Sequence, residues 1–134
     1  MKFNENYKGY IFDLDGTILD SSWVWDMVDI KFLGDRGYDV PEDYVESISP
    51  LGAVYTIDRF NLHGEKPEEL VREWFDMAKE EYAKKVLCKP GAKEYITHLF
   101  KGGKKLAVAT SSDRELFMPT LEREGILNCF SEIV

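Results

Sequence analysis

Apolar positions fall into a few short runs separated by longer stretches with helical spacing. Tyr10-Ile11-Phe12, bounded by Gly9 and Gly16, is short, aromatic and β-branched, which predicts a buried strand. Leu106-Ala107-Val108-Ala109, after the stop signal Gly102-Gly103, predicts a second strand, and a third begins at Ile133-Val134. Between the first two the spacing is helical. Asp20, Ser21 and Ser22 offer N-cap side chains to a helix carrying Trp23, Val24, Met27, Val28 and Phe32, which runs out near Gly34 and Gly37. Pro41 with Glu42 and Asp43 reads as the first turn of another helix, ending before Pro50, and Gly52 to Leu62 as a third.

The clearest helix runs from Pro67 to about Val86. Pro comes first, Glu68 and Glu69 occupy the positive first turn, and Lys84 and Lys85 the last. Its apolar set, Leu70, Val71, Trp74, Phe75, Ala78 and Tyr82, recurs at threes and fours, so one face is buried and the aromatic stripe reads as packing. After Pro90-Gly91 a helix with Tyr95, Ile96 and Leu99 leads into the second strand. Another runs from Asp113, an N-cap, to Gly125, with Pro119 expected to kink it or to mark a late start. This order predicts an α/β fold with a parallel sheet, residues 20–88 forming a helical insertion after the first strand.

Composition narrows the class. In 134 residues, 44% are hydrophobic and 31% charged, enough for one soluble globular domain with a real core. The net charge of −8 repels a polyphosphate backbone, and the densest basic groups, Lys84-Lys85 and Lys104-Lys105, read as solvated faces, so no nucleic-acid partner is expected. Cys88 and Cys129 make no disulfide framework and read as small core residues. Met1 to Lys8 is polar without an apolar signal region, and no apolar run nears the ~20 residues that span a bilayer. The expectation is a cytoplasmic protein with no membrane partner.

Candidate chemistry concentrates in Phe12-Asp13-Leu14-Asp15-Gly16-Thr17. A strand puts residues two apart on one side, so Asp13 and Asp15 converge at its C-terminal end, where open α/β sheets bind ligands. Two carboxylates leaving an apolar strand together need a partner, and a divalent cation with an incoming phosphate supplies one. Gly16 makes the turn and Thr17 adds a hydroxyl. An Asx-rich turn capping the next helix is the plain alternative, but apolar strand, Asp-x-Asp-Gly-Thr and helical insertion in succession are much rarer than Asp-Gly alone. The second element, Thr110-Ser111-Ser112, ends the Leu106–Ala109 strand, where hydroxyls and backbone N–H groups before a helix form an anion site or an ordinary cap.

On these motifs the chain resembles the haloacid dehalogenase-like phosphohydrolases, particularly the branch of β-phosphoglucomutase and phosphoglycolate phosphatase. Asp13-Leu14-Asp15-Gly16-Thr17 matches that superfamily's first motif, Thr110 its second, and Lys89-Pro90-Gly91-Ala92 looks like its return from the cap. The resemblance implies a Rossmann-like core, here incomplete, formed by residues 1–19 and 89–134, with an inserted α-helical cap at 20–88. It implies Asp13 as the nucleophile that forms an aspartyl-phosphate and Asp15 as general acid and base. Mg²⁺ would be held by the Asp13 carboxylate and the Asp15 carbonyl. Thr110, Ser111, Ser112, Thr17 and Gly16 would form the phosphate site, and a small phosphorylated metabolite would be the substrate.

Two departures follow from the resemblance. The family's third motif, a Lys, and its fourth, an acidic pair, lie farther beyond the second than the residues after Thr110. Weak Mg²⁺ binding and near-background activity are therefore expected of this chain. Asp113 stands where the mutases tend to carry Lys, which favours a phosphatase over phosphate transfer on a sugar phosphate. Further alternatives are a phosphoacceptor signalling domain, which the insertion argues against, and a catalytically silent fragment. The first strand is also expected at an open sheet edge, so that the chain self-associates through it or is a marginally stable fragment. Trp23, Trp25, Tyr55 and Arg59 are candidate substrate contacts, His63 and His98 surface positions, and Glu80 and Glu81 a solvated face.

Overall fold

A computed structural model describes residues 7–44 and 49–134. The chain divides into two compact units, Met1–Ser22 with Glu81–Val134, and Trp23–Glu80.

The first unit is built on a parallel sheet. Strand β1 (Gly9–Phe12) pairs with β4 (Lys105–Val108) from Gly9↔Lys105 to Phe12↔Val108, and β4 pairs with β5 (Glu132–Ile133) through Ala107↔Glu132 and Val108↔Ile133. The order is β1-β4-β5, so β1 stands at an edge among the described residues. Tyr10 and Phe12 share a face with their register partners Leu106 and Val108, both fully buried. On that face Phe12 meets Tyr95 and Phe130 edge-on at 6.1 and 6.3 Å, geometry that the aromatic quadrupole favours. Ile11, on the opposite face, is 76% exposed, and Tyr10 and Phe12 are half-buried, so the buried strand expected from the sequence is only partly covered, on one face.

Two short strands went unforeseen in the sequence. β2 (Leu19–Asp20) and β3 (Leu87–Cys88) pair antiparallel, and Lys89 N–H adds a bond to Ile18 O at 2.7 Å. This ribbon ties the passage leaving the first unit to the passage returning, and it takes Asp20 into a strand instead of the expected cap. Helix α4 (Ala92–Lys101) precedes β4 and α5 (Arg114–Arg123) follows it. Asp113 caps α5 by accepting from Glu115 N–H at 2.9 Å, as its sequence position predicts. Pro119 lies inside α5 and marks no late start.

Side chains of α5 satisfy the last carbonyls of α3 (Pro67–Lys84), which have no partner within their own helix. Thr120 Oγ1 donates to Tyr82 O at 2.6 Å and Arg123 Nε donates to Ala83 O at 2.9 Å, and Arg123 Nη2 also donates to Val86 O, just past the helix end. The helix ends at Lys84, two residues short of the sequence reading.

The second unit is helical. In α1 (Trp23–Gly34), Val24, Val28 and Phe32 are buried at intervals of four, and Phe32 meets the fully buried Trp74 of α3 at 5.5 Å. Helix α2 runs Pro50–Phe60, two residues earlier at both ends than expected. Ser49 accepts from Gly52 N–H at 3.1 Å, Pro50 takes the first position, and Asn61 closes the helix in the left-handed conformation (φ 58°). The helix expected from Pro41 is not formed at its start. Pro41–Tyr44 is a turn closed by Tyr44 N–H to Pro41 O at 3.1 Å, with Asp43 drawn to Arg59, and residues 45–48 lie outside the described residues. Among the described residues no helix is long and apolar enough to cross a membrane.

Candidate active site

The loop leaving β1 is held by its own backbone. Leu14 O accepts from Thr17, Ile18 and Leu19 N–H at 3.0–3.1 Å, and Gly16 N–H donates to Leu19 O at 2.9 Å. Gly16 sits at φ 79°, and a Cβ there would meet nothing within 4 Å, so the backbone angle and not the space calls for glycine. Leu14, Ile18 and Leu19 are buried. They anchor the loop from below and leave Asp13 exposed at the strand end and Asp15 half-buried.

The two carboxylates have different surroundings. Asp13 Oδ2 accepts from Thr17 Oγ1 at a long 3.4 Å, a light contact on an exposed group. Asp15 is gripped on both oxygens. Ser21 Oγ and Tyr82 OH donate to Oδ1 at 2.7 and 2.5 Å, and Ser112 Oγ donates to Oδ2. Every one of these partners is a neutral hydroxyl, so the charge of Asp15 is hydrogen-bonded but not cancelled. Burial, and then the adjacent Asp15 carboxylate, pushes the Tyr82 phenol well above its ordinary range, so it serves as a donor.

The second sequence element reaches the same place in part. Ser112 joins it through Asp15. Thr110 Oγ1 accepts from Ser112 N–H at 3.0 Å, closing the local turn that aims Ser112, and Thr110 N–H donates to Val134 O at 3.0 Å. Ser111 is exposed in the same loop. Ser21 and Tyr82 were missed as site residues: the sequence offered Ser21 as a cap and Tyr82 as packing. A hydroxyl six residues after Asp15 was the only local signal.

Arg59 donates to Asp43 at 2.7 Å and to Tyr55 OH at 2.6 Å within the helical unit, and Trp23 and Trp25 are half-buried. Glu80 is exposed, but the solvated reading of Glu81 is corrected. Its side chain is 17% exposed and its Oε2 is buried, 3.5 Å from Lys85 Nζ, because α3 turns that position inward. His63 and His98 are exposed, Cys88 is half-buried and Cys129 buried. Burial, followed by Glu124, raises the Cys88 thiol to about 11, which keeps it protonated and unreactive.

The family model of the haloacid dehalogenase-like hydrolases matches residues 10–134. The chain belongs to that family. Solved structures with the same fold include a predicted phosphoglycolate phosphatase from Haemophilus somnus (23% identity, TM-score 0.72, covering 96% of this chain and 62% of that one). A protein assigned as a β-phosphoglucomutase from Thermotoga maritima matches at 19% identity and TM-score 0.79, covering 96% and 61%. The Bacillus subtilis hydrolase YfnB, solved bound to magnesium, matches at 16% and 0.67, covering 95% and 64%. This haloacid dehalogenase-like chain therefore spans somewhat over three fifths of the length of these structures.

Among the described residues no group of three or more His, Cys, Asp or Glu side chains is placed to hold a metal ion. The oxygen donors at the end of β1 nevertheless suit a hard cation that keeps several waters.

Proposed function

We propose that this chain carries the nucleophile half of a Mg²⁺-dependent phosphatase for small phosphate monoesters. The observation that carries the reading is the inequality of the two carboxylates: Asp13 exposed and lightly held, Asp15 gripped by three hydroxyls. A nucleophile has to be open to its substrate and an acid–base partner has to be held in place, and the contacts of the two carboxylates differ in that sense.

In the proposed reaction Asp13 attacks phosphorus, a phosphorus–oxygen bond to Asp13 forms, and the bond to the ester oxygen breaks. Asp15 turns from its hydroxyl partners, takes up the proton carried by the ester monoanion and passes it to the departing alkoxide. Water then attacks the aspartyl-phosphate, Asp15 takes back a proton, and inorganic phosphate leaves with Asp13 regenerated. The Asp13 carboxylate and the Asp15 carbonyl are the groups that would hold Mg²⁺, whose charge would offset that of the transferring group. Thr110, Ser111, Ser112, Thr17 and Gly16 are proposed to line the phosphoryl oxygens. Asp113 supports hydrolysis over mutase chemistry, since its carboxylate caps α5 where the resembling mutases tend to carry Lys.

The test is phosphate release in a chain continued through the third and fourth motifs. Asp15→Asn should slow alkyl phosphates far more than aryl phosphates, because a good leaving group needs no proton. Equal slowing of both would remove Asp15 from the acid role. Release of inorganic phosphate, rather than a rearranged sugar phosphate, separates phosphatase from mutase.

A further inference from the structure

The grip on Asp15 is fixed at two depths. Nearest are the hydroxyls of Ser21, Tyr82 and Ser112. Tyr82 is itself held from behind, by its main chain. It sits in the last turn of α3, close to the end at Lys84, where carbonyls run out of helical partners. Lys85 and Val86 N–H both turn to Glu81 O, at 2.8 and 3.0 Å, which leaves Tyr82 O and Ala83 O to other donors. Helix α5 supplies them. The fully buried Thr120 donates to Tyr82 O at 2.6 Å, and Arg123 reaches Tyr82 O at 3.3 Å and Ala83 O at 2.9 Å. Asp15, Tyr82, Thr120 and Arg123 all belong to the first unit.

We propose that Thr120 and Arg123 are positioning residues for Asp15 that act through the backbone of Tyr82, a role that rests on the phosphatase reading of Asp15. A phenol is a long lever. Its oxygen stands at the far end of a rigid ring, so a small tilt of the backbone carries it far. A working group has to be held within about 0.5 Å of its place, and Tyr82 OH meets Asp15 at 2.5 Å. The last turn of a helix is also the part that frays. Thr120 and Arg123 oppose that fraying at the residue whose side chain orients the carboxylate.

A plain helix cap is the other reading of these bonds. A cap contributes stability, and its loss changes nothing about how Asp15 is held in the folded chain. Two placements favour positioning. The wholly buried donor, Thr120, is spent on Tyr82 O and not on the carbonyls nearer the helix end. Helix α5 also starts from Asp113, directly after Ser112, so the contacts of Asp15 trace to both ends of one helix.

NMR of the chain carrying Cζ-labelled tyrosine reads the hydrogen bond of Tyr82, whose resonance is the one lost in Tyr82→Phe. Thr120→Val should move that resonance toward the free phenol, and Thr120→Ser should leave it in place. In the chain continued through the later motifs, Thr120→Val should slow alkyl phosphates on the order of tenfold more than aryl phosphates. In a Tyr82→Phe background the same substitution should change that ratio no further. A Thr120→Val chain that melts lower with an unmoved Tyr82 resonance has lost a plain cap, which overturns the proposal. Equal slowing of alkyl and aryl esters overturns it as well. Should Thr120→Val fail to fold, Arg123→Met decides by the same readouts, because that side chain is partly exposed. The resonance needs no turnover, so a wild-type chain that released no phosphate would count against the phosphatase reading and not against the hold on Tyr82.

Discussion

Two charged clusters, one in each unit, are built in opposite ways. In the helical cluster a charge meets a counter-charge. Arg36 grips Glu65 through Nε (2.9 Å) and Nη2, reaches Glu73 at 3.1 Å and lies 3.8 Å over the Phe32 ring, and Glu65 is held below the usual carboxylate range by that guanidinium. In the sheet unit the central carboxylate, Asp15, meets three neutral hydroxyls. An ion pair consumes its charges to stabilise a fold. A carboxylate ringed by hydroxyls is oriented and keeps its charge for a ligand or a proton. Polar contacts of similar length therefore serve structure in one unit and are suited to chemistry in the other.

Substitutions can break this contrast, and the largest effect belongs to the least anchored group. In a chain continued through the missing motifs, Asp13→Asn should reduce phosphate release to background while leaving the melting temperature of the 134-residue chain unchanged, since Asp13 makes one weak contact. Wild-type turnover in that variant would end the nucleophile assignment. Arg36→Met should do the reverse. It leaves Glu65 and Glu73 without their cation and removes the stacking on Phe32, a loss of roughly 2 kcal/mol in urea unfolding, with the relative rates of alkyl and aryl phosphates unaltered.

Tyr82→Phe falls between these. The ring keeps its buried place, one donor to Asp15 is lost, and stability should drop by about 1 kcal/mol. The leaving-group dependence should also change, an effect that simple loss of packing would not produce. Asp29 sharpens the comparison from the helical side. Burial, and then Asp26, raises its carboxyl to about 7 from a usual 3.8. Between those values the folded chain holds more protons than the unfolded one, so stability falls as pH rises from about 4 to 7 and then levels. Asp29→Asn should flatten that slope and raise the melting temperature at pH 8. The smallest effect is expected for Asp43→Asn, whose exposed pair with Arg59 should leave the melting temperature unmoved at physiological salt.

What the sequence disclosed followed the range of the interaction. β1, β4 and the Asp-x-Asp loop were legible because strand period, turn glycine and caps are local signals. Ser49 and Asn61 set the ends of α2 by the same local rules, and the Ser49 cap starts the helix two residues before the Gly52 that the spacing predicts. The clasp on Asp15 was not legible: Tyr82 and Ser112 lie 67 and 97 positions away. In sequence Tyr82 is one more aromatic on a packed stripe, and Ser112 one more hydroxyl before a helix. The β2–β3 ribbon was missed for a related reason, since two-residue strands leave no period to detect. Glu81 shows the converse failure, because an acidic run looks solvated until helix phase turns one member inward.

The loop around Gly16 also bears on the order in which the molecule assembles. Its bonds join residues three to five apart, with Leu14 O as the hub. Closing so short a loop takes on the order of 10–100 ns, whereas the β1–β4 ladder must wait for strands far apart in sequence, Gly9–Phe12 and Lys105–Val108, to meet. As the chain emerges during synthesis, the bend that presents Asp13 can form before any strand has its neighbour. The sheet then closes around a turn already made, and the setting of Asp13, the proposed nucleophile, need not await the slowest pairings of the fold.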